Sequence, residues 1–77
     1  MNRAQAPNIV HAMSTSITDQ ERLFKEFAID ARNAVTMALQ YYDKGDYISA
    51  SVMLQSAELT ATRTYREFIK LRDLLGK

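Results

Sequence analysis

The side chains that could do chemistry in this sequence are few, and their spacing does not suit it. His11 is the single histidine of the chain and there is no cysteine. A nucleophile–base pair or a zinc centre needs His, Cys and carboxylate groups that converge. His11 sits in the N-terminal stretch with no carboxylate or thiol spaced to join it, and it reads as a surface histidine. Asp43 and Asp46 are a carboxylate pair, but they flank Gly45, where capping helix ends is their immediate use. The expectation is therefore a non-enzymatic chain with no catalytic, cofactor-binding or metal-ligating residues and no cofactor. One charged pattern stands out. Residues 58–77 carry five basic and three acidic side chains. Arg63, Arg66, Lys70 and Lys77, with Arg72 nearby, fall roughly on one side of a helix. Such a stripe could meet phosphates or an acidic partner, or simply complement the negative end of the helix dipole. Ten basic against nine acidic residues give a net charge of +1, so nucleic acid is not the expected partner.

Composition limits the scaffold that could present these groups. With 77 residues, 47% hydrophobic and 25% charged, the chain is one domain at most and is compositionally neither disordered nor membrane-embedded. A domain of this size rarely draws more than about 3–5 kcal/mol from a single core. The N-terminus lacks the apolar run of a secretory signal, and no stretch approaches a membrane span. Absence of cysteine suits a reducing compartment. A cytoplasmic protein without membrane insertion is expected.

The chain divides at Thr18. Residues 1–17 hold the only proline, Pro7, and the Ser14-Thr15-Ser16 cluster, with no sustained period; they read as a flexible arm. Residues 18–77 read as a helical domain. Thr18-Asp19-Gln20-Glu21 matches a capping box, and the residues after it up to Asp43 are Gly- and Pro-free helix formers. Lys44-Gly45-Asp46 is the one interior break: Gly45 can close a helix and Asp46 can open the next. The spacing predicts an all-α hairpin with helices at about 19–43 and 47–75 and Gly76 as terminator. The first seam is Phe24, Phe27, Ala31, Ala34, Ala38 and Tyr41. The second is Tyr47, Ala50, Leu54, Ala57, Ala61, Thr64, Phe68, Leu71 and Leu75, with alternating spacings of three and four. Folding the chain about Gly45 pairs Tyr41 with Ala50, Ala38 with Leu54, Ala34 with Ala57, Ala31 with Ala61, Phe27 with Thr64 and Phe24 with Phe68.

Apolar residues remain beyond this seam. The second helix adds Ile48, Val52, Leu59 and Ile69, and the first adds Ala28, Val35, Leu39 and Tyr42. Two helices cannot bury both seam and flanks, and each exposed aliphatic forgoes about 1.5–3 kcal/mol. The excess predicts a homo-oligomer, a dimeric four-helix bundle first of all, or a complex with a different protein. Met37 and Met53, at the seam edges, read as packing or as an adaptable interface. Thr60, Thr62 and Thr64 locally weaken the second helix.

Ala28-x-Asp30-Ala31-Arg32, Ala38-Leu39, Gly45-Asp46-Tyr47-x-x-Ala50 and Ala57 together resemble the helical hairpin of the phosphotransferase-system lactose/cellobiose IIA subunits, over about 40 of the 77 residues. Those subunits are trimeric helical bundles that carry phosphate on a histidine. The matching position here falls at or near Tyr65, no histidine lies in residues 12–77, and the family's additional helix has no counterpart. The resemblance implies a hairpin and not phosphoryl transfer. The Gly-Asp-Tyr-x-x-Ala pattern is also similar to tetratricopeptide hairpins. The function expected is that of a protein–protein interaction module (adaptor, assembly subunit or chaperone-like partner) binding through Ile48, Val52, Leu59 and Ile69. Two alternatives stand beside it: a structural subunit of a larger assembly such as a secretion or phage apparatus, and a nucleic-acid-associated regulator using the basic stripe.

Overall fold

The computed structural model describes the backbone of residues 5–76 and the side chains of residues 16–76. Two helices account for nearly all of it: α1, Gln5–Asp43, and α2, Tyr47–Leu75. They pack against each other as an antiparallel hairpin, and there is no strand among the described residues. The turn forms as the sequence expects. Gly45 takes φ 79°, the left-handed conformation that L side chains avoid. Its N–H donates to the Tyr42 carbonyl at 2.9 Å, and the Asp46 N–H donates to the Tyr41 carbonyl at 2.9 Å. These two bonds satisfy the last carbonyls of α1 in a Schellman arrangement. Asp46 then caps α2, its Oδ1 accepting from the Ser49 N–H at 3.1 Å. The Ser49 side chain first, and then this Ser49 N–H, hold the Asp46 carboxyl below the usual aspartate range. The Tyr42 and Tyr47 rings, 5.5 Å apart, close the turn from one side.

Two expectations change. The first is the start of α1. The helix runs through Thr18 from Gln5, so the Thr18–Glu21 box lies inside it and caps nothing. Pro7 is compatible with this start because it falls in the first turn, where a backbone N–H has no intrahelical acceptor. Of the arm expected over 1–17, residues 1–4 lie outside the described residues, as does the side chain of His11. The second change is the azimuth of α2. Among the described residues the buried side chains are Ala34, Ala38, Ala50, Ala57 and Leu71, all in the expected seams. Between those of α2, however, Met53, Thr60 and Glu67 are half-buried, as are Thr64 and Ile69, whereas Leu54, Ala61 and Phe68 are exposed. Both sets alternate by three and four through Ala50, Ala57, Thr64 and Leu71, so periodicity alone does not choose between them. The alanines set the packing. Ala34 and Ala38 against Ala50 and Ala57 let the backbones come close, and a Leu54 seated beside Ala38 would hold them apart. The polar members of the chosen seam are satisfied locally. The Thr64 hydroxyl donates to the Thr60 carbonyl at 2.8 Å, and Glu67 bonds Gln20.

Candidate functional site

Two helices side by side form a slab with two broad faces and two outer edges. Its extents are 64 × 21 × 12 Å, one helix thick. The candidate residues divide among these surfaces according to helical phase.

Ile48, Val52 and Leu59 lie along the outer edge of α2, turned away from α1, with Ile48 81% and Leu59 68% exposed. Ile69 continues the strip but is half-buried, lying with Tyr65, Arg66 and Lys70 in one hollow. The structure thus brings Ile48, Val52 and Leu59 into one exposed apolar strip, and Ile69 only partly.

The flank expected on α1 belongs to a different surface. Phe24, Ala28 and Ala31 share a shallow apolar groove with Ala61, Thr64, Tyr65 and Phe68. The Phe24 and Phe68 rings stand 5.2 Å apart across it. From Ala28 the same face of α1 continues every seventh residue to Val35 and Tyr42. From Phe68 the same face of α2 returns through Ala61 and Leu54 to Tyr47. Tyr42 and Tyr47 meet at the turn. One broad face of the slab is therefore apolar from turn to open end. Val35, Leu39, Tyr42, Tyr47, Leu54, Tyr65 and Phe68 are all exposed on it. Sequence reasoning found both halves of this surface and did not join them, because joining them requires the azimuth of α2.

Charge gathers around the outer side of α2. Arg63, Arg66 and Lys70 line the hollow that holds Ile69, together with Glu67 and Phe27; Lys77 lies outside the described residues. Glu67 is the centre of this cluster, its side chain only 16% exposed. Gln20 Nε2 donates to Glu67 Oε1 at 2.6 Å and to its backbone carbonyl at 3.0 Å. Lys70 Nζ stands 3.4 Å from the other carboxylate oxygen. The Gln20 hydrogen bond holds the Glu67 carboxyl below the usual glutamate range; the Lys70 charge acts in the same direction, and lost solvation opposes both. Gln20–Glu67 is a polar pair at seam positions, the kind of contact that fixes helix register. The sequence carried its signal, polar residues in phase with the seam, but a search for apolar stripes passes over it.

Among the described residues, no group of three or more His, Asp or Glu side chains is placed to hold a metal ion. No helix among them is long and apolar enough to cross a membrane. Tyr65, where the phosphotransferase-type histidine would stand, is an exposed side chain on the rim of the apolar face. No protein-family model, curated protein or solved structure matches this chain.

Proposed function

We propose that this chain is a small cytoplasmic, non-enzymatic protein–protein interaction module, acting as an adaptor, assembly subunit or chaperone-like partner. The observation that carries the reading is the exposed apolar strip of Ile48, Val52 and Leu59 on the outer edge of α2. A helix edge with apolar residues spaced by four and seven suits a groove or an amphipathic helix on another protein. Burial of Leu59 and Val52 by that partner would each contribute about 1.5–3 kcal/mol. A cysteine-free chain suits the reducing compartment proposed for it.

The test is capture with immobilised full-length protein, followed by calorimetry on the purified partner. The wild type is expected to retain a stoichiometric partner. Val52→Asp and Leu59→Asp should weaken that partner by at least tenfold each, leaving helicity intact because both side chains point away from the seam. A partner held equally by the wild type and both variants would remove this strip from the reading. A partner that is nucleic acid, lost with Arg63→Glu and Arg66→Glu, would replace it.

A further inference from the structure

We propose that the broad apolar face is the interface between two copies of this chain, related by a two-fold axis along the slab so that both turns lie at the same end of a four-helix bundle. This extends the interaction-module reading to a second surface, separate from the outer strip of α2, and each surface has its own variants.

Four observations carry it. The hairpin alone encloses very little: among the described residues the buried side chains are four alanines and Leu71. A single layer of two helices needs a second layer to build a core. Moreover, α2 seats the more polar of its two possible seams inward, with Met53, Thr60 and Glu67 half-buried, and leaves Leu54, Ala61 and Phe68 outside. The more apolar set is thus placed where another chain can cover it.

The area suffices. At about 1.5 Å per residue, the 29 residues of α2 give a face about 43 Å long. With the 21 Å width of the slab, this offers about 900 Å², against about 800 Å² per partner in a stable complex.

The charges choose the second copy and its orientation. Arg32 flanks this face one turn from Ala28, and Glu58 flanks it one turn from Leu54. Among the described residues neither forms an ion pair within its own chain. The hairpin places them almost level, since Phe24 meets Phe68 and facing numbers therefore sum to about 92; Arg32 and Glu58 sum to 90. With the axis along the slab, α1 of each copy lies on α2 of the other, antiparallel, at unchanged level. Arg32 then meets the second copy's Glu58, and the pair forms twice. With the axis across the slab, α1 lies on α1, and the two Arg32 come within about one helical turn of each other, which is repulsive.

The experiment is sedimentation equilibrium on the full chain, with circular dichroism on each sample. The wild type should be a helical dimer of twice 8.8 kDa. Leu54→Asp should raise the dissociation constant by at least a hundredfold. Because Leu54→Asp could also weaken folding, the decisive variants are the charge reversals at the rim of the face. Arg32→Glu and Glu58→Arg should each weaken the dimer by about tenfold, and mixing these two variants, or combining them in one chain, should restore it. Val52→Asp and Leu59→Asp should leave the dimer unchanged. Nitroxide labels on Lys44→Cys should lie within about 25 Å across the dimer, against about 40 Å or more if the turns are at opposite ends. A monomer, a larger polymer, no rescue by the charge swap, or the long label distance would each overturn the proposal. Loss of a partner at the outer strip would leave it standing.

Discussion

The two ends of the hairpin are held by different physics. Near the turn, α1 and α2 meet through Ala34, Ala38, Ala50 and Ala57, all at least nine-tenths buried, and the chain reverses through a left-handed glycine and an aspartate cap. Apart from the Tyr42–Tyr47 ring pair, the contacts there are small, close and comparatively local in sequence. At the open end the helices meet through the tilted Phe24–Phe68 pair, buried Leu71 and the Gln20–Glu67 hydrogen bond. Those contacts are large or polar and join residues more than forty positions apart. Backbone geometry fixes the closed end, whereas the open end depends on particular side chains and should fray first.

The contrast can be broken at either end. The largest effect is expected from Leu71→Ala, which removes the one large buried side chain among the described residues and should cost about 2–5 kcal/mol by chemical denaturation, with amide exchange accelerating at the open end first. Next is Ala38→Leu, which forces a larger side chain into a site 3% exposed; about 1–3 kcal/mol should be lost and the helices driven apart near the turn. Gly45→Ala meets open space at its Cβ but keeps φ 79°, so its cost, about 1–2 kcal/mol in thermal melts, is backbone strain alone. Smaller still is the acid response. Glu67 and Asp46 both have folded pKa values below their ordinary ranges. Their stabilisation is therefore complete above those ordinary ranges and is lost as pH falls through the lower folded values. Helicity followed through an acid titration should decline there, and Gln20→Leu should flatten the Glu67 part while leaving the Asp46 part.

The same contrast explains what could be read from the sequence. The turn was legible to the residue because Gly45, Asp46 and the ends of the apolar stripes are local signals. On α1 the expected stripe is the one the structure turns inward: Ala34 and Ala38 are buried, and Phe24, Phe27, Ala31 and Tyr41 are half-buried. On α2 the apolar residues at 54, 61 and 68 are stronger than those at 53, 60 and 67, so hydrophobicity favoured the set that the structure leaves outside. Backbone approach, set by the alanines, overrode it. The start of α1 was displaced for a similar reason: a capping-box pattern is equally compatible with a helix interior, where its carboxylates turn to solvent. The exposure of Ile48, Val52 and Leu59 was foreseen, but the broad face was not, because its halves come from two helices and meet only in three dimensions.

The thinness of the slab has a hydrodynamic consequence. The radius of gyration is 18.3 Å, whereas a compact chain of this length would have about 11–12 Å. A single hairpin should therefore diffuse like a considerably heavier sphere. Stacking a second copy on the broad face would thicken the particle while scarcely lengthening it, bringing its frictional ratio down as its mass doubles. Elution volume calibrated with globular standards should thus separate the one-chain and two-chain species poorly, and absolute mass from scattering or sedimentation should separate them cleanly.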